Sequence, residues 1–194
     1  MTDSIERIGI IVLAAGYSKR FAGDKRQAVL HAGQSVLDTS LSRIPDTYSR
    51  RILVLHPGDE KLAEKYSSQW SICIAEAAQQ GLGHSLAAAI KQAENWQAAV
   101  IALADMPYVQ TETYRLIQRS LLDHSLVRPY CQGRPGNPVG IGAEYFTQLE
   151  GLSGDSGARK ILQQNAASLF RLDCSDWGIT QDIDTRSALP SGPV

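Results

Sequence analysis

Cysteine is scarce in this chain: there are three in 194 residues, at positions 73, 131 and 174. So few, so widely spaced and odd in number, they offer neither a disulfide framework nor the paired spacing of a structural zinc site. An excess of positive charge is missing too, since 19 Lys and Arg face 20 Asp and Glu for a formal net charge of −1. Broad electrostatic binding of nucleic acid needs a basic face to neutralise phosphates, so that class is set aside; a small pocket for a phosphorylated metabolite is not. No apolar run is long. The longest, Ile8 to Ala15, is interrupted by Gly9 and falls far short of the roughly 20 residues that cross a bilayer. The opening Met1 to Arg7 has no cationic stretch leading into an apolar one, so no export signal is read. With the odd cysteine count, this points to a reducing cytoplasm and to no membrane partner.

What is present is ordinary for a globular chain, 43% hydrophobic and 20% charged residues. The length suggests one domain, residues 1–186, followed by a proline- and glycine-bearing tail, 187–194, that is expected to fray. Short apolar runs alternate with longer amphipathic segments. IGIIVL (8–13), RILVL (51–55), SICIA (71–75) and AVIAL (99–103) read as strands covered on both faces. Helical spacing of apolar residues falls at 35–44, 59–66, 85–96, 111–122 and 155–164, the last with Asp155 or Ser156 as its cap. Shorter strands are expected at 126–130, 139–141 and 168–172. The β-α-β-α order implies an α/β fold, a mostly parallel sheet with helices on both sides. In such sheets ligands bind beyond the carboxyl ends of the strands, so the polar and glycine-rich segments that follow the strands carry the chemistry.

The first of these segments is Ala14-Ala15-Gly16-Tyr17-Ser18-Lys19-Arg20-Phe21-Ala22-Gly23-Asp24-Lys25. Small residues at 14–16 let backbone N–H groups approach phosphate oxygens, and Arg20 and Lys25 add two cations. Two familiar phosphate loops do not match. Six residues rather than four separate Gly16 from Gly23, and Arg26 rather than Ser or Thr follows Lys25. The dinucleotide pattern is imitated only by Gly81-Leu82-Gly83-His84-Ser85-Leu86, which breaks at its last position. The second segment is Leu103-Ala104-Asp105-Met106-Pro107, where an Asp just beyond a buried strand can hold Mg²⁺. A second carboxylate is available at Asp182 or Asp184.

Taken together, LAAGYSKRFAGDK (13–25), GLGHSLAAAI (81–90), LADMP (103–107), GRPGNPVGI (133–141), GDSGAR (154–159) and DIDT (182–185) resemble the molybdenum cofactor cytidylyltransferase family, related to molybdopterin guanylyltransferase. The motifs occur in the family's order and span nearly the whole chain. The resemblance implies a three-layer α/β/α, Rossmann-like nucleotidyltransferase fold and transfer of CMP from CTP to the terminal phosphate of molybdopterin. Ala15 matches the LAAG of CTP-using members, where guanylyl-transferring relatives carry LAGG. By the same resemblance Leu13, Ala14, Ala15 and Gly16 line the nucleotide, Arg20 and Lys25 contact its phosphates, and Gly81, Gly83 and Ser85 help select base and ribose. Asp105 holds Mg²⁺, with Asp184 preferred to Asp182 as the second carboxylate. Asn137, Asp155 and Arg159 lie toward the acceptor, and a molybdoenzyme is the implied protein partner. His84 departs from the small or hydroxyl residues usual at its position, which bears on the base pocket.

The chemistry fits these residue types. A terminal phosphate attacking the α-phosphorus of a triphosphate brings two anions together, and Mg²⁺ with Lys25 and Arg20 offsets the repulsion. The nucleophile is already ionised at neutral pH, so no general base is required. Three other readings are weighed. A serine hydrolase is suggested by Gly83-His84-Ser85-Leu86-Ala87, but Ala87 replaces the final glycine and only His124 follows as a base. A non-catalytic carrier of a pterin cofactor would keep the pocket without turnover. Nucleotidyl transfer to another phosphorylated metabolite keeps the reaction and changes the acceptor.

Overall fold

The computed structural model describes residues 2–18, 21, 23–31 and 33–189. The chain opens with α1 (Thr2–Glu6), β1 (Ile8–Leu13), the hairpin strands β2 (Val29–His31) and β3 (Gln34–Ser35), and α2 (Val36–Ser42). It continues through β4 (Arg51–Leu55), α3 (Glu60–Tyr66), β5 (Ser71–Ile74), α4 (Leu82–Ile90), β6 (Ala98–Leu103) and α5 (Thr111–Ser120). The last part holds β7 (Leu126–Cys131), β8 (Arg134–Pro135), β9 (Val139–Gly142), α6 (Phe146–Glu150), α7 (Arg159–Gln164) and β10 (Leu169–Asp173).

Among the described residues one large sheet runs β10-β7-β9-β6-β1-β4-β5, with β8 pairing β7. The pairs β1–β4, β1–β6, β4–β5 and β7–β10 are parallel, while β9 runs antiparallel between β6 and β7. The expected mostly parallel sheet is therefore present, with two reversed strands, the short β8 beside β7 and β9, whose apolar run of three residues could not announce its direction. β1 explains why an uninterrupted apolar run belongs at the centre. Alternate side chains point to opposite faces, so Ile10 and Val12 pack with Leu37, Leu53 and Tyr114, while Ile11 and Leu13 pack with Val54, Leu86 and Ile101. Both faces are covered, and each fully buried isoleucine of β1 contributes about 2 kcal/mol by leaving water. Cys73 is buried and free, a small core hydrophobe whose thiol is pushed up to about 11 by burial.

Several boundaries differ from those read in the sequence. α2 starts where expected because Ser35 caps it reciprocally with Asp38. The segment expected to be helical from 85 to 96 is helical over Leu82–Ile90 instead. Its early start is fixed by Gly83, whose N–H donates to the Gly154 carbonyl at 2.7 Å. Its early end lets the chain turn through Asn95, at φ 61°, and lay the Trp96 indole on β1. The segment 155–164 is helical only from Arg159, because Gly154 and Gly157 both take positive φ; neither Asp155 nor Ser156 caps it, and the N-cap is Ala158. Of the tail, Arg186–Ala188 form a 3₁₀ turn and 190–194 lie outside the described residues.

Gly9 is dictated by this packing. A Cβ placed there would lie 2.1 Å from the Trp96 ring. Gly9→Ala is expected to destabilise the protein by about 1–3 kcal/mol through overpacking, read as a lower urea midpoint; an unchanged midpoint would show that Trp96 does not seal β1.

Candidate active site

Order within the sheet places the chemistry. Leu13 and Leu103 are Cα partners at the carboxyl ends of adjacent parallel strands, and the Ala104 N–H donates to the Leu13 carbonyl at 3.1 Å. The loops carrying Gly16 and Asp105 therefore leave the sheet side by side. β4 and β5 lie on one side of β1 and β6 on the other, so this is the switch point where open α/β sheets form their crevice. The Ile183 N–H donates to the Asp105 carbonyl at 2.9 Å, which brings the Asp182 to Thr185 segment to the same place.

Lys25 reaches this point from a 3₁₀ turn, Lys25–Gln27, capped by Asp24. Its Nζ lies 2.5 Å from Asp105 Oδ2 and 3.2 Å from Asp184 Oδ1. Burial pulls the ammonium's pKa down, but the two carboxylates outweigh it and hold Lys25 above its ordinary value. Asp182 is pushed up, first by burial and then by the negative charges of Asp184 and Asp105. One oxygen from each of Asp105, Asp182 and Asp184 falls within 4.8 Å of the others. Asp105 Oδ1 is buried and has no hydrogen-bond partner among the described residues. A buried, unpartnered carboxylate oxygen beside two further carboxylates is a set of hard oxygen donors that suits a divalent cation such as Mg²⁺ or Mn²⁺.

Three connected cavities make the cleft. One of about 380 Å³ is lined by Ala15, Gly16, Lys25, Gly81, Ser85 and Asp184. A second, of about 250 Å³, lies over Leu13, Ala14, Lys25 and Asp105. A third, of about 280 Å³, is bordered by Asn137, Asp155 and Arg159. Leu82, exposed at the start of α4, borders all three. The residues singled out in the sequence thus line one cleft, with two exceptions. Gly83 is buried beneath the Gly154 carbonyl, and Arg20 lies outside the described residues. Gly81 has a structural reason to be glycine, since φ is 120° and a Cβ would lie 2.4 Å from the Gly154 backbone. The hydrolase reading fails on topology. Ser85 is buried in α4 at the carboxyl end of the sheet, whereas His124 precedes β7, which runs parallel to β6, and stacks on Phe170 at the amino end.

The sequence did not disclose Arg26. Its side chain is 5% exposed, yet it forms a dense set of polar contacts. Nη1 donates to the Ala14 carbonyl at 2.7 Å and to Asp59 at 2.5 Å; Nη2 reaches Asp59 and Asp24, both at 2.8 Å. His56 lies 3.1 Å from Nη2, and the Tyr17 ring stacks on the His56 ring with centroids 4.4 Å apart. Asp59 sits at the N-cap of α3 without capping it, because its carboxylate is turned to Arg26. This clamp fixes the start of the loop at Ala14 and its end at Asp24, with Lys25 held next to it. The only sequence signal was an unexplained cation after Lys25.

With this geometry in view, residues 10–169 match the MobA-like NTP transferase domain. The chain belongs to that family. It is a nucleotidyltransferase by descent, in agreement with the expected fold. It is 29% identical over 187 residues to the purine catabolism protein PucB of Bacillus subtilis, covering 90% of each chain. It is 31% identical over 180 residues to the molybdenum cofactor cytidylyltransferase of Escherichia coli, covering 92% of this chain and 91% of that one. The fold is also that of Rv0371c from Mycobacterium tuberculosis, solved as a manganese complex, with a TM-score of 0.78 at 21% identity over 94% of this chain and 97% of that one. No helix among the described residues is long and apolar enough to cross a membrane.

Arg26→Met leaves two buried-side carboxylates without their counter-charge. It is expected to cost about 3–5 kcal/mol in equilibrium unfolding; a loss below 1 kcal/mol would remove the clamp from the account. Acid tests the same contacts. Burial pushes the Asp24 carboxyl up, but hydrogen bonds from Arg26 and Gln27 outweigh it and bring the group down to about 2 from 3.8. A depressed carboxylate stabilises the fold above its unfolded pKa and loses that contribution as the pH falls through the folded one. Between pH 4 and 2 the wild type is therefore expected to lose more stability than Asp24→Asn; parallel curves would contradict the assignment.

Proposed function

We propose that the protein transfers CMP from CTP to the terminal phosphate of a molybdopterin-type cofactor and releases pyrophosphate, with Mg²⁺ as the working cation. The observation that carries this reading is Lys25, set against Asp105 and Asp184 on the wall shared by the two cavities over the first loop, with the cavity beside Asn137 and Arg159 adjoining them across Leu13, Leu82 and Leu103. The E. coli relative named as a molybdenum cofactor cytidylyltransferase supports the choice of both substrates, and Ala15 supports CTP over GTP. The manganese in the Rv0371c structure supports a divalent cation.

Each residue has a stated task. Backbone N–H groups of the 15–18 loop receive the triphosphate, with Ser85 and Gly81 bordering the space left for ribose and base. Asp105 and Asp184 would hold the cation, which when bound offsets charge on the triphosphate oxygens. Lys25 stays protonated and places its ammonium where the negative charge of the two substrates is most concentrated. An oxygen of the acceptor phosphate forms a bond to the α-phosphorus while the α-phosphorus to bridging-oxygen bond breaks. Its electron pair leaves with pyrophosphate. The acceptor oxygen is already ionised, so the site needs no base. Exclusion of water falls to Leu13, Leu82 and Leu103, which border the reacting space.

The direct test is pyrophosphate release from CTP, GTP and ATP with molybdopterin as acceptor, in the presence of Mg²⁺. Release confined to CTP and dependent on the pterin is expected. Pterin binding without release would favour a carrier, and release only with a different phosphorylated acceptor would correct the substrate. Asp105→Ala is expected to abolish metal-dependent turnover with the fold retained by circular dichroism. Lys25→Ala should lower kcat by about 100-fold or more while KM for CTP changes little; a change confined to KM would make Lys25 a binding residue only. Ala15→Gly is expected to narrow the CTP-to-GTP ratio of kcat/KM about tenfold, and an unchanged ratio would leave residue 15 without a part in base selection.

A further inference from the structure

The third cavity carries a second arginine, Arg128, that the transfer reading does not use. Its wall is mostly apolar, with Leu82, Leu103, Val139 and Leu162 among its residues, yet two guanidinium groups border it. Arg128 comes from the middle of β7, half-buried, and Arg159 from the first position of α7, exposed. Arg128 Nε donates to the Gly136 carbonyl at 3.3 Å, which uses one of its five N–H groups and tethers the side chain. Among the described residues neither arginine forms an ion pair with a carboxylate. Asp155 is the acidic residue on the same wall, so the cavity keeps an excess of one positive charge. Burial lowers the Arg128 pKa; the neighbouring Tyr130 partly offsets this, and the positive charge of Arg159 adds to the lowering.

Arg26 shows how this chain treats an arginine that serves structure alone, giving it two carboxylates and a carbonyl. Arg128 and Arg159 are held in the opposite condition: two like charges at an apolar cavity, with their forked donors unspent. The half-buried Arg128 beside a second positive charge is favoured by an arriving anion, and guanidinium forks match the oxygens of phosphate or carboxylate in paired hydrogen bonds.

The geometry points to Arg128 and Arg159 as an anion-recognition subsite at the far end of the cleft, taking an oxyanion carried by the acceptor. The apolar wall accommodates the acceptor's body and the arginines fix its charged group, so the acceptor class is a small, partly apolar molecule bearing phosphate or carboxylate. The assignment to the acceptor rests on the nucleotidyl-transfer reading, whereas anion binding itself does not. Two sources of phosphate compete for these arginines, the acceptor and the triphosphate tail, and the test separates them.

Equilibrium dialysis of the full chain with radiolabelled inorganic phosphate, at constant ionic strength, supplies the measurement. With CTP and Mg²⁺ saturating, so that the triphosphate loop and Lys25 are occupied, the wild type is expected to bind phosphate, and Arg128→Gln and Arg159→Gln each to weaken it at least tenfold. Arg159 is exposed, so its variant keeps the test sound if Arg128→Gln folds poorly. In the presence of CTP and Mg²⁺, phosphate binding that survives both arginine substitutions, or that is absent from the wild type, would overturn the assignment. Failure to turn over a pterin acceptor would sink the transfer reading and leave the dialysis result standing, so the two failures are distinguishable.

Discussion

A buried guanidinium anchors the site. Arg26 ties the Ala14 carbonyl, the Asp24 carboxylate and the Asp59 carboxylate to one rigid fork, and so fixes both ends of the loop that follows β1. Burying that much charge is tolerated because almost every donor of the fork has an acceptor. The consequence for function is indirect and large. Lys25 is covalently next to the clamp, so its ammonium is delivered to Asp105 and Asp184 with little freedom to stray. A charge held in place does not have to reorganise during a reaction, which is what stabilisation of a crowded, negatively charged transition state requires.

The sheet provides the other half of the arrangement. Parallel pairing of β1 with β6 aligns Leu13 with Leu103, and both strands are followed by alanine, Ala14 and Ala104, which lets their loops lie close together. Asp105 comes from one loop, Lys25 from the other, and Asp184 is drawn in through the Ile183 N–H. Three segments far apart in sequence thus supply one cation and two carboxylates to a shared floor. Leu82 borders the spaces to either side of that floor, so the nucleotide and acceptor sides of the cleft are distinct but adjoining.

Much of this was legible before the structure because the physics was local. β1, β4 and β6 are buried on both faces, which demands apolar residues at consecutive positions and leaves an unmistakable run. Gly16 and Asp105 stood out because they closely follow such strands, Lys25 as a cation of the first loop, and Asp184 through the family motif that contains it. What could not be read depends on partners distant in sequence. The Arg26–Asp59 pair spans 33 positions, and nothing in either neighbourhood specifies the other. The reversed direction of β9 is set by its neighbours in the sheet, not by Val139 to Gly142 themselves. α7 starts late because Gly154 and Gly157 spend their conformational freedom on the close approach to α4, a contact that periodicity does not encode. Arg128 is in sequence a lone charge in the middle of a short expected strand, and only the cavity beside it gives it a task.

The most direct check of the central claim is a crystal of the protein soaked with Mn²⁺ and a non-hydrolysable CTP analogue, with the anomalous scattering of manganese used to locate the ion. The account requires a peak against Asp105 and Asp184, the triphosphate over the 15–18 loop, and the Lys25 ammonium beside the α-phosphate. Manganese bound elsewhere, or a triphosphate lying outside the cleft between β1 and β6, would contradict it.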